Sequence, residues 1–172
     1  MKVSLGRYPK GRDVERKLSV KIDPWDTWST DHTLALIIVP LLQQLKETKH
    51  GTPYSDEADA PDEFKGEDPD KGKYDPDGYN TLRWEWILDE MIWAFTQLTD
   101  DSEEDSYYHN RTQLELVSTP MKGKKMSSIS FNYRKDPEKP PYFRDDEGLK
   151  AFEARKTNGF RLFGKYLQSL WD

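Results

Sequence analysis

Glu85 and Asp89 stand four residues apart, with Glu90 directly after the second. On a helix that spacing puts the first two carboxylates on one face, where they could offer oxygen ligands to Mg²⁺ or Mn²⁺, while Glu90 lies about 100° around. Completed by Asp26, Asp31 or His32 from a neighbouring segment, such a site would suit a divalent-metal-dependent nucleotide hydrolase. The paired Glu-Glu-x-x-Glu and Glu-x-x-Asp signatures of helical nucleotide pyrophosphohydrolases are absent, and acids at this spacing usually form a solvated face or pair with bases such as Arg83. The metal set Glu85, Asp89, Glu90, Asp31 and His32 is therefore an alternative reading. His32 would gain proton affinity from Asp31, but a capping or packing role is the plainer one, because no Ser or Cys nucleophile signature accompanies it.

A second set of residues could bind without reacting. Trp25, Trp28, Trp86 and Trp93, with Arg83 and Arg161 as charge partners, have the composition that dominates many interfaces. At 100° per residue, the segment from Thr81 to Leu98 gathers Leu82, Trp84, Ile87, Leu88, Met91, Ile92, Phe95 and Leu98 on one arc. Glu85, Asp89 and Thr96 form one polar strip, and Arg83, Glu90 and Gln97 form another. Trp86 and Trp93 lie between these strips and are expected to project away from the main interior, toward a partner or a second layer of the chain.

The acids are concentrated. Of a net charge of −6, residues 51–80 carry −7, and the rest of the chain sums to about +1. These thirty residues also contain four Gly and four Pro, so a long solvated surface loop is expected, without regular elements. Asp68-Pro69-Asp70 and Asp75-Pro76-Asp77-Gly78 lack the Asp-x-Asp-x-Asp-Gly order and distal Glu of a calcium loop. The acidity disfavours docking of the whole protein on a DNA backbone. It could instead imitate phosphate toward a basic groove on a nucleic-acid enzyme.

Elements able to position these residues follow from periodicity. Residues 2–6 and 17–22 alternate as short strands. The oxygen-rich run Asp26 to Asp31 starts a helix through Leu34 to Leu45 that ends near His50, with Pro40 bending it. Residues 112–118 and 126–134 form a hairpin turning at Gly123. Asp145-Asp146-Glu147 opens a last helix reaching Trp171, with Leu149, Phe152, Phe160, Phe163, Leu167, Leu170 and Trp171 inward. Gly159 falls on that same arc, where it would admit another backbone closely. The expected fold is one α+β domain over residues 1–172, three main helices with a small antiparallel sheet. Zero cysteine excludes disulfide scaffolds, thiolate metal sites and cysteine nucleophiles. No apolar run approaches a membrane span or an export signal, so a soluble chain without membrane contact is expected.

Four strings carry a resemblance: Asp26-Thr27-Trp28-Ser29-Thr30-Asp31-His32-Thr33-Leu34-Ala35, Gln44-Leu45-Lys46-Glu47-Thr48-Lys49-His50-Gly51, Arg83-Trp84-Glu85-Trp86-Ile87-Leu88-Asp89-Glu90-Met91-Ile92, and Asn158-Gly159-Phe160-Arg161-Leu162-Phe163-Gly164-Lys165-Tyr166 with the ending Leu170-Trp171-Asp172. In order across about three quarters of the chain, they resemble an uncharacterised family of small proteins encoded by tailed bacteriophages. The resemblance implies expression in the cytoplasm of an infected bacterial host and brings no catalytic residue or cofactor with it. The leading expectation is a non-enzymatic accessory protein that binds a host or phage protein through Trp25, Trp28, Arg83, Trp86, Trp93 and Arg161. The hydrolase with Mg²⁺ or Mn²⁺ is the first alternative and a minor virion component the second. Oligomeric state is not readable from the sequence.

Overall fold

Alternating apolar residues give the chain its first element. In a computed structural model describing residues 2–5, 18–68, 70–123, 127–133, 136 and 138–171, β1 (Lys2–Leu5) and β2 (Leu18–Lys21) pair antiparallel with Val3 opposite Val20. A 3-10 turn at Pro24–Thr27 leads into α1 (Thr30–Thr48), which stops where Lys49 turns extended ahead of Gly51 and Pro53. The described residues of 49–79 run without a long element, with short 3-10 turns at Glu57–Asp59 and Asp62–Phe64. Then come α2 (Asn80–Thr96) and the one-turn α3 (Ser102–Asp105). The strands β3 (Tyr108–His109), β4 (Leu114–Pro120), β5 (Ser127–Tyr133) and β6 (Phe143–Arg144) precede α4 (Asp146–Tyr166), which tightens into a 3-10 turn at Leu167–Ser169.

The fold is α+β, as the separate runs of helical and alternating periodicity predict. The sheet is divided into three antiparallel ladders, β1–β2, β3–β6 and β4–β5. In the β4–β5 ribbon Leu116 faces Phe131 and Ser118 faces Ile129, so one side is apolar, and Gly123, beyond β4, has φ 77°, which a side chain would strain. That apolar side is exposed at Leu116, Ile129 and Phe131.

α2 is the centre of the molecule. Its Trp84, Ile87, Leu88, Met91 and Phe95 are buried together with Ala35 and Leu42 of α1 and Leu162 and Tyr166 of α4. Both flanking helices run antiparallel to α2. His32 reaches Leu98 and Lys49 reaches Glu85 on one side, while Phe152 meets Trp93 and Tyr166 meets Trp84 on the other. Gly159 is the crossing point with α4. A Cβ there would collide with the Ala94 Cβ and lie 2.7 Å from the Glu90 carbonyl oxygen, so the close approach expected from the sequence is present. Three expected inward residues are corrected. Leu82 is half exposed, and Leu167 and Trp171 also open to solvent, whereas Leu162 and Tyr166 take the inward positions on α4. The line Phe152–Gly159–Leu162–Tyr166 is fixed by where α2 crosses. No described helix is long and apolar enough to cross a membrane.

Candidate binding site

The carboxylates that could hold a metal are engaged elsewhere. Glu85 is paired with Lys49 and, at 3.7 Å, with Lys46, while Asp89 accepts a hydrogen bond of 2.5 Å from Lys46. A divalent ion on this face would have to displace two ammonium groups that α1 places there. Glu90 points to the other side of α2, buried, and takes both arms of the Arg155 guanidinium at 2.7–3.2 Å. Glu90, expected on a polar strip and as an alternative metal ligand, is instead buried in an ion pair, because α4 supplies its counter-charge. His32 Nδ1 lies 2.8 Å from the Leu98 carbonyl oxygen, a contact that ties the start of α1 to the end of α2. Among the described residues no three His, Asp or Glu side chains converge as a metal site.

The acidic loop is a strap with an ordered inner side, a correction to the solvated excursion expected from composition. Ser55 is fully buried and donates its backbone N–H to the Asn80 side chain at 2.8 Å. Asp59, also buried, receives Tyr166 Oη at 2.7 Å, Lys165 Nζ at 2.5 Å and Arg161 at 2.8 Å. Burial is the strongest single influence on this carboxyl and opposes its charge, but the three donors together outweigh it and hold its pKa below the ordinary value. Asp75 binds the backbone N–H groups of Gly78 and Asn80 at the entrance of α2, and Asp77 pairs with Arg83. The Asp75-Pro76-Asp77 segment thus serves the backbone and a neighbouring arginine.

Arg83 is fully buried, donating to the Phe64 carbonyl at 2.8 Å and to Asp77, so its place in a binding surface is corrected. Its charge satisfies the strap. Arg161, half exposed, spends its donors on Asp59 and on Asn158 at 2.9 Å. Trp93 is corrected as well. Its ring stacks edge-on against Phe152, lies under the Arg155 guanidinium, and donates Nε1–H to Glu103 at 2.9 Å. α3 and α4 together form the second layer that the sequence left open. Trp86 is half buried against the rim of the core.

What stays open is the pair Trp25 and Trp28, 77% and 83% exposed, with ring centroids 6.4 Å apart. Their turn is rigid for a local reason. Asp23 accepts from the Trp25 N–H at 3.0 Å, while Asp26 accepts from the Asp23 N–H at 2.8 Å, a reciprocal capping box. Thr33 Oγ1 anchors the turn to α1 through the Asp26 carbonyl at 2.9 Å. Two indoles are held out on a fixed hook beside the acids Asp23, Asp26 and Asp31.

Further along α1 an apolar groove of about 430 Å³ opens toward α4, between Ile38, Leu41 and Leu45 on one wall and Phe163, Leu167 and Leu170 on the other. The sequence reading missed this groove. Its signal was the unbroken run Leu34 to Leu42, apolar around more of a helix than one neighbour can cover. Comparisons with family models, curated proteins and solved structures return no match.

Proposed function

We propose that this chain is a non-enzymatic accessory protein of a tailed bacteriophage that binds a host or phage protein in the infected cell through the Trp25–Trp28 hook. The observation that carries the reading is the pair of indoles held exposed on a turn whose backbone is already fixed. Large aromatic side chains dominate interface energetics, and a preorganised turn loses little conformational freedom on docking. The phage setting rests on the resemblance of the four strings.

Affinity purification from infected cells tests it. The wild type should recover a stoichiometric partner, and Trp25→Ala with Trp28→Ala should lose that partner while keeping the wild-type unfolding midpoint. Recovery of no partner, together with nucleotide hydrolysis by the purified protein, would replace binding with the enzymatic alternative.

A further inference from the structure

The net charge of −6 conceals a division along the chain. Residues 111–144 carry eight Lys and Arg against Glu115, Asp136 and Glu138, a balance of +5, which leaves −11 for the rest. We infer that the β4–β5 ribbon in this segment, with the cavity at its base, binds single-stranded DNA, bases on its aromatic rings and phosphates on its cations.

The cavity, of about 610 Å³, is lined by Leu114 and Phe131 of the ribbon and by Tyr142, Phe143, Arg144 and Asp146 of the segment entering α4. That size falls within the roughly 300–1,000 Å³ of small-ligand sites. Phe131 and Phe143 are 64% and 58% exposed, so their rings are open to a flat partner. Planar groups already stack beside them. The Arg111 guanidinium lies 4.1 Å from the centroid of the Tyr108 ring, and His109 lies within 16° of parallel to Phe143 at 5.8 Å. Arg144 gives its Nε–H to Asp146 at 2.5 Å, while its two terminal nitrogens have no acceptor among the described residues. They stand where a phosphate beside a stacked base could accept both. Lys122, just past β4 at the other end of the ribbon, has no carboxylate partner among the described residues.

Charge alone would admit any polyanion, and the two faces of the ribbon narrow the choice. Leu116, Ile129 and Phe131 make one face apolar and exposed, whereas the opposite face carries Glu115, Thr119, Ser128, Ser130 and Asn132. A duplex keeps its base faces stacked inside and would set hydrated phosphates against that apolar face. A single strand lays unpaired bases on the rings while its backbone follows the cations. Deoxyribose suits the surface better than ribose, because Leu116, Ile129 and Phe131 would strip water from a 2′-hydroxyl and return no hydrogen bond. The acidity that disfavours DNA docking by the whole protein belongs to the remainder of the chain and confines the strand to the ribbon.

Fluorescence anisotropy of the full chain with a labelled oligothymidylate of about 16 nucleotides decides it. Neutralising about four phosphates, the wild type should bind at 50 mM salt and lose roughly 50-fold in affinity by 200 mM. A duplex of equal length should bind at least about tenfold more weakly. Phe131→Ala should cost at least about fivefold with unchanged far-ultraviolet circular dichroism, and Phe143→Ala should do the same if the first variant fails to fold. Arg144→Gln should make the salt slope shallower by about 0.7. Trp25→Ala with Trp28→Ala should bind the oligomer as wild type does, which separates this result from failure of the hook. No binding of the single strand at 50 mM salt overturns the inference, as does equal affinity for the duplex. So do tighter binding of the matching oligouridylate, indifference to both phenylalanine variants, and binding to phosphatidylglycerol vesicles in place of the oligomer.

Discussion

α1 and α2 are nearly equal in length and in apolar content, but they are used in opposite ways. α2 buries nine residues, two of them the charged Arg83 and Glu90, whereas α1 buries only Ala35 and Leu42 and leaves Leu34, Leu36 and Leu41 about half exposed. α2 has a helix on each side and the acidic strap over its entrance, so even its charges are matched indoors. α1 has α2 alone. Residue type sets how much surface a helix gains by burying, and its neighbours determine how much of that it receives within one chain.

The contrast breaks first at the Arg83–Asp77 pair if it is wrong. Asp77→Ala would strand a guanidinium that is fully buried and whose Nε already lacks a partner. A loss of about 3–5 kcal/mol is expected in urea denaturation, with partial recovery when Arg83→Met removes the orphaned charge. An effect under about 1 kcal/mol would mean the strap is loose and α2 no better enclosed than α1.

Gly159→Ala comes next. Propensity alone would favour Ala by about 1 kcal/mol. The new Cβ meets the Ala94 Cβ and the Glu90 carbonyl, both fixed to the backbone of α2, so the helices must separate. A net loss of about 1–3 kcal/mol is expected by thermal denaturation, and Ala94→Gly should restore part of it. No site on α1 should show the same sensitivity to one methyl group.

These two cases mark what the sequence could and could not say. Helix positions, the hairpin and the close approach at Gly159 were legible, because periodicity and a missing side chain are local signals. The burial of Arg83 and Glu90 was not. Glu90 meets its counter-charge 65 residues away at Arg155, and Arg83 depends on a strap whose Pro, Gly and Asp content reads as solvated chain. The strap is ordered by Tyr166 and Asn80, single hydrogen-bonding side chains that no periodic pattern announces. For the binding set, the exposed indoles were recognised as a type, and the neighbours that covered Trp93 while leaving Trp25 and Trp28 bare were not.

Acid should sharpen the contrast further. Asp59, Asp75 and Asp77 all have carboxyl pKa values held below the ordinary one, against burial, by donors from Tyr166, Lys165, Arg161, Arg83 and the backbone. A depressed folded-state pKa gives stability that is complete above the unfolded value of about 4 and is lost as pH falls through the folded value. Stability measured from pH 6 downward should therefore stay level to about pH 4 and fall below it. Asp59→Asn should flatten that fall. A variant at α1, such as Leu41→Glu, should leave the acid limb shared with wild type.

The smallest effect on stability is expected at the most conspicuous aromatic residues. Trp84→Ala would empty a fully buried site and cost about 3–5 kcal/mol, whereas Trp28→Ala removes a ring that is 83% exposed and should change the unfolding free energy by less than about 0.5 kcal/mol. Trp25 is similarly exposed, and its turn is held through the backbone and Asp23, so Trp25→Ala should leave the capping box intact. Urea denaturation of both variants measures the difference directly. If either exposed tryptophan proves as costly as Trp84, the hook is part of the folded chain's own support, and the division between an enclosed α2 and an α1 left open to solvent fails where it is easiest to test.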